Sequence, residues 1–181
     1  MGAWRAAAFL WGVAEASFFF LVPDILLSLV VQKRGVRPAS DAACFAVAGA
    51  CLGGLIVWHI GRGDPAGARA FLDGIPAISS AMIAQAGESL RDNFAAALFA
   101  GAFSGVPYKV FAAVAPSAGI GWPEFLLVSA PARACRFLVV IMIVAAADGI
   151  AARWLGARER ARLLLAGWAA FYVIFWLAMG N

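Results

Sequence analysis

The sequence predicts an all-α integral membrane protein, built as an inverted repeat of re-entrant helical hairpins plus transmembrane helices. Three observations carry this. Of 181 residues, 64% are apolar and only 13% are charged, with mean hydropathy +0.89. A soluble domain carries about a quarter charged residues, so this chain has too little charge to coat a sphere. Five apolar stretches divide it, at Ala3–Val31, Ala42–Ile60, Asn93–Ala115, Phe125–Ala147 and Ala161–Met179. The first and third are each broken by a proline beside an ionisable residue. Length allows a single membrane domain, 1–181.

Ala3–Val31 exceeds the roughly 20 residues that cross the hydrocarbon and carries Glu15, then Pro23-Asp24. An interrupted apolar segment with charge inside it predicts a re-entrant hairpin lining a polar cavity. Ala14-Glu15-Ala16 resembles a leader cleavage site. Only Arg5 precedes it, however, and the apolar run continues to Val31, which argues against a cleaved signal peptide. Ala42–Ile60 fits a single span. In segment 61–92, Phe71, Ile75, Ile78 and Met82 recur among Arg69, Asp73, Gln85 and Glu88. This predicts an amphipathic interfacial helix interrupted at Pro76, a linker rather than a lid. Asn93–Ala115 is broken at Gly101, Gly105 and Pro107, just before Tyr108-Lys109. Phe125–Ala147 and Ala161–Met179 each fit one span.

The halves match. Phe19-x-x-x-Pro23 reappears as Phe103-x-x-x-Pro107, and the same offset carries Ala42–Ile60 onto Leu126–Val144. Repeat one is therefore 3–60, the linker 61–92, repeat two 93–147 and the C-terminal transmembrane helix 161–179. If the broken segments are hairpins, Arg5, Lys33, Arg34 and Arg37 share the cytoplasmic side with Arg153, Arg158, Arg160 and Arg162. The uncharged loop Gly119–Trp122 then lies outside. That is the positive-inside pattern, and two full spans in their place would invert it.

The formal charge of +4 is not a nucleic-acid signature, because no basic surface is interleaved with exposed aromatics. There is no Ser/His/Asp arrangement, no P-loop and no metal-ligand spacing, so neither an enzyme nor a cofactor is expected. Cys44, Cys51 and Cys135 form no CxxC pair and read as packing residues. Gly49-x-x-x-Gly53 and Gly101-x-x-x-Gly105 suit close packing between the repeats. His59, Glu124 and Asp148 read as interfacial anchors at span ends.

The candidate site residues are the ionisable groups inside apolar runs. A charge at mid-bilayer costs about 2.5–3.5 kcal/mol on insertion scales, so it is normally paired or functional. Glu15 either faces a cavity as a proton-responsive carboxyl or caps a broken helix. Asp24 either caps the second arm of the hairpin or titrates together with Glu15; two carboxyls in a low-dielectric cavity retain a proton near neutral pH. Tyr108 and Lys109 set a hydroxyl and a cation at a helix break, suited to a phosphate head group or to a lysine–carboxylate bridge. Arg133 and Arg136, three residues apart, share a helix face. They either grip phosphate oxygens or neutralise Glu15 and Asp24.

The run Glu15-Ala16-Ser17-Phe18-Phe19-Phe20-Leu21-Val22-Pro23-Asp24-Ile25-Leu26-Leu27 resembles the first motif of the DedA superfamily (VTT or SNARE-associated-like membrane proteins). Phe103-Ser104-Gly105-Val106-Pro107-Tyr108-Lys109-Val110-Phe111 resembles its second motif in the YqaA-type branch, and Arg133 and Arg136-Phe137 fit that branch's arginine-containing helix. The resemblance covers most of 10–147 and implies two inverted re-entrant hairpins. It also implies a flippase or scramblase in the bacterial inner membrane, moving an anionic lipid such as polyprenyl phosphate, with proton coupling. Glu15 and Asp24 match the acidic positions, and Lys109 stands where many members have arginine. Ala102 replaces the motif's other arginine, so Arg133 or Arg136 would have to supply that charge. The expected partners are membrane lipids, an anionic lipid substrate and protons, with homo-oligomerisation open. Two other readings use the same residues: a proton-coupled carrier of a small ion or solute, and a non-transporting scaffold. A lipid transporter needs a side opening to the bilayer, a solute carrier an aqueous path.

Overall fold

A computed structural model describes residues 2–75 and 77–179, with side chains through Leu177. Its order is α1 (Ala3–Ser17), α2 (Asp24–Arg34), α3 (Val36–Gly63), α4 (Pro65–Asp73), α5 (Ser80–Ser104), α6 (Tyr108–Val114), a 3₁₀ turn (Pro116–Ala118), α7 (Trp122–Ala151) and α8 (Ala157–Met179). The described residues contain no strand. Three helices, α3, α7 and α8, are long and apolar enough to cross a membrane. They contain the three stretches expected to be single spans, and the fold is that of a helical membrane protein. Leu127, Leu138, Met142 and Ile143 on α7, and Leu163, Phe171, Ile174 and Leu177 on α8, present large apolar side chains outward. Such a surface suits lipid and not water.

The first broken stretch is α1, a non-helical segment 18–23, and α2. Pro23 immediately precedes α2, and Trp11 Nε1 donates to the Leu21 carbonyl at 2.9 Å, fastening the break to α1. The start of α1 meets the end of α2, since Arg34 and Lys33 lie over the Trp4 ring at 5.5 and 6.0 Å. Gln32 near the end of α2 donates to Asp148 at 3.0 Å and to the Arg160 carbonyl at 3.2 Å, bringing the end of α7 and the start of α8 to that same end. Both basic clusters are thus gathered at one end of the bundle. At the other end, Trp58 Nε1 donates to the Ile120 carbonyl at 3.1 Å, joining α3 to the loop that opens α7.

Small residues weld α1 to α3. A Cβ on Gly49 would fall on the Phe9 carbonyl, and one on Gly12 on the Ala46 carbonyl. The Gly49/Gly53 spacing therefore packs α3 against α1. Gly101 abuts the Phe111 ring, and Gly105 is an exposed helix terminus with φ 88°. Gly49→Val is expected to cost at least about 1–3 kcal/mol by forcing the backbones apart. Thermal unfolding in detergent reads this, with Gly63→Val, where a Cβ meets nothing, as the unchanged control.

Segment 61–92 is not one amphipathic helix. Asp64 accepts from Gly67 N at 2.8 Å to start α4, which ends at Asp73, and Ser79 caps α5 through Met82 N at 3.2 Å. Phe71 is exposed on α4, Ile75 and the buried Ile78 lie in the connection before α5, and Met82 is on α5, so the expected stripe is not one helix face. Pro76, where the interruption was expected, lies outside the described residues. α5 kinks at Asn93 (φ −155°, ψ 94°), whose side chain accepts from Ala96 N at 3.0 Å and starts the helix anew. The kink falls where the sequence changes from polar to apolar. Cys44 and Cys135 are exposed rather than packed, and Cys51 is half-buried.

Candidate functional site

Two helix breaks and the middle of α7 converge. Glu15 stands in the last turn of α1, Asp24 opens α2, and Tyr108 and Lys109 open α6 after Pro107. Arg133 and Arg136 extend from α7 toward all three elements. Glu15 and Arg133 form an ion pair, both nearly excluded from solvent at 5% and 4% exposure. The guanidinium of Arg133 sits between the Tyr108 and Phe137 rings, 5.0 Å from each centroid, and cannot swing away without losing both contacts. Asp24 is wholly buried, and one of its oxygens accepts from Arg136 Nη2 at 2.9 Å and Nε at 3.2 Å. Lys109 is buried and donates to the Phe19 carbonyl at 2.6 Å. The second break thus grips the backbone of the first.

The arrangement decides between several expectations. Asp24 makes no side-chain cap on α2, because its carboxylate is engaged by Arg136. Glu15 and Asp24 do not share a proton site directly; each has its own arginine. Lys109 makes no ion pair with a carboxylate among the described residues. Three cations therefore face two carboxylates, and the buried cluster has a formal excess of one positive charge. That excess is what an anion would cancel.

Glu15, Tyr108, Lys109, Ser129, Arg133 and Arg136 line one cavity of about 100 Å³; Asp24 lies behind Arg136 and does not line it. Phe171, Tyr172, Phe175 and Trp176 of α8 close one side. Arg133 Nε is buried without a hydrogen-bond partner among the described residues, while the Tyr108 hydroxyl and Ser129 Oγ lie beside each other in the same pocket. Buried polar atoms are satisfied in native proteins by protein, water or ligand, so the arginine nitrogen points to an occupant. Gly54 makes room for the Tyr108 ring, which stacks on Phe125 at 5.7 Å.

A second, larger space of about 850 Å³ lies between α7 and α8. Val140, Ile143, Val144, Leu163, Leu164 and Ile174 line most of it and Gln32, Asp148 and Arg160 one end, so it is a largely apolar groove with a polar end. It shares Ala102, Gly105, Arg136, Phe171 and Phe175 with the charged cavity. Arg136 stands at the junction, its side chain 20% exposed, and donates to the Ala102 carbonyl at 2.8 Å.

Sequence reasoning passed over Ser129, Tyr172 and the Gln32–Asp148–Arg160 cluster. Ser129 lies four residues before Arg133, on the same helix face. Tyr172 is one of only two tyrosines in the chain, the other being Tyr108, and its hydroxyl accepts from Val22 N at 2.9 Å, anchoring α8 to the first break. Asp148, expected to be a snorkelling anchor, is instead the half-buried partner of Arg160 and Gln32. His59 is exposed with its ring nitrogen 2.9 Å from the Leu55 carbonyl, and Glu124 is exposed at the start of α7. No family model, curated protein or solved structure matches this chain.

Proposed function

We propose that the chain is a transporter of the bacterial inner membrane that moves an anionic lipid such as polyprenyl phosphate. The observation that carries this is the apolar groove between α7 and α8 running into a positively charged cavity, with Arg136 at the junction. A lipid has the complementary form: a tail that stays in an apolar groove while its phosphate enters a cationic pocket. A solute carrier has no use for the groove.

The broken segments act as two inverted re-entrant hairpins in this reading. Its support is the meeting of Trp4 with Lys33 and Arg34, and the gathering of both basic clusters at one end, which positive charge assigns to the cytoplasm. The head of Arg136 reaches the backbone of Ala102, the position where the resembled motif would carry its missing arginine.

Mechanistically, the lipid phosphate competes with Glu15 and Asp24 for the two arginines. Protonation of a carboxyl removes its charge, weakens its hold on the guanidinium and leaves the arginine free to bind phosphate oxygens. Lys109 adds a further hydrogen-bond donor beside the two arginines. Proton movement and head-group binding are then coupled through shared arginines.

Labelled polyprenyl phosphate in proteoliposomes, with and without a pH gradient, tests the proposal. Gradient-dependent movement is expected. Lys109→Met, which removes a charge-assisted hydrogen bond to the phosphate, is expected to reduce it about ten- to hundredfold, and Glu15→Gln to abolish the gradient dependence. Movement that is indifferent to both substitutions sinks the site assignment.

A further inference from the structure

At the basic end of the bundle, Trp4, Arg5, Val30, Arg34, Arg37 and Asp41 surround a third space, of about 460 Å³. It shares no lining residue with the other two. Its charges are not equivalent. Arg5 is neutralised by Asp41, with Nε 2.6 Å from Oδ2, and lies over the Phe45 ring at 5.5 Å. Arg34 and Arg37 are in no ion pair among the described residues. The pocket therefore keeps a formal charge of +2.

Two further features set these cations in place. Arg34 lies over the Trp4 indole, which limits the guanidinium's freedom and lowers the entropy lost when it binds. Gly35, with φ 87, turns the chain between α2 and α3 and holds Arg34 and Arg37 on either side of the bend. The start of α3 has no side-chain cap, so its free N–H groups add positive potential at the same place. Tryptophan, arginine and a helix start at the end of a membrane bundle are the parts of a head-group site.

We propose that this pocket binds the phosphate head group of an anionic phospholipid of the surrounding leaflet, as a resident lipid separate from any transported one. The phosphate is held between Arg34 and Arg37 beside Trp4, and the acyl chains extend from the mouth of the pocket into the surrounding leaflet. The bound lipid ties the end of the first hairpin to α3.

The test follows thermal unfolding of the full chain in detergent while phosphatidylglycerol, phosphatidylcholine or inorganic phosphate is added. Phosphatidylglycerol is expected to raise Tm and phosphatidylcholine is not. Arg34→Gln with Arg37→Gln is expected to raise the half-saturating phosphatidylglycerol concentration roughly ten- to thirtyfold. Arg158→Gln with Arg162→Gln, the same loss of charge at the other basic cluster, should leave it unchanged. If the first pair fails to fold, Arg37→Gln alone carries the test with a smaller expected shift in the same direction. An unchanged response in the Arg34/Arg37 variant, or an equal loss in the Arg158/Arg162 variant, overturns the site. Inorganic phosphate matching the lipid's effect overturns the lipid assignment in favour of a free anion. None of these readouts depends on transport.

Discussion

Arg133→Ala is expected to destabilise the protein by about 3–5 kcal/mol. The reason is the asymmetry of buried ion pairs. Removing one partner leaves the other as an uncompensated charge in a low-dielectric interior, whereas replacing both by apolar residues of similar size is often neutral. Arg133 is 4% exposed, clamped by two aromatic rings and matched to a carboxyl that is 5% exposed. Glu15→Leu combined with Arg133→Met should therefore recover most of the stability that Arg133→Ala loses. Thermal unfolding in detergent measures both.

The same pair of variants separates a transporter from a scaffold. In a scaffold the charges serve only to neutralise one another, and the apolar double variant would keep whatever the protein does. In the proposed mechanism the double variant is folded and inert, because it has lost both the proton-responsive carboxyl and a phosphate-binding arginine. A stable variant with undiminished lipid movement would remove Glu15 and Arg133 from the mechanism.

Much of this site was visible in the sequence because membrane burial makes charge conspicuous. Glu15, Asp24, Lys109, Arg133 and Arg136 stand out within apolar runs, and Pro23 and Pro107 mark where α2 and α6 begin. The partnership between them was not visible. Asp24 is placed equally well to cap α2 or to meet Arg136, and only the docking of α7 against α2 decides. Spacing along one helix says which residues share a face and nothing about which distant face they meet. The kink at Asn93 was foreshadowed by the change from polar to apolar sequence there, while the division of 61–92 into two helices depends on caps at Asp64 and Ser79 that its apolar stripe obscured. The groove was the least legible feature. It arises where α7 and α8 diverge beyond the Asp148–Arg160 pair, and α8 alone reads as an ordinary apolar span.

That groove carries the second large effect. Gly167 on α8 lines it, and a Cβ there meets no atom within 4 Å. Gly167→Trp should therefore fold without steric conflict, and loss of a helical glycine favours α8 by up to about 1 kcal/mol. The indole would occupy the space that the proposed lipid tail needs. Transport of labelled polyprenyl phosphate is expected to fall at least about tenfold, the cost of losing roughly 1.4 kcal/mol of tail contact, while Tm is unchanged or higher. Gly149→Trp is the matched control, since Gly149 also has open space at its Cβ but lies on α7 outside the groove. A drop confined to Gly167→Trp ties transport to a lateral lipid path. Equal activity in both variants would mean that nothing travels between α7 and α8, and the buried positive cavity would then have to be served from water, as a small-anion carrier requires.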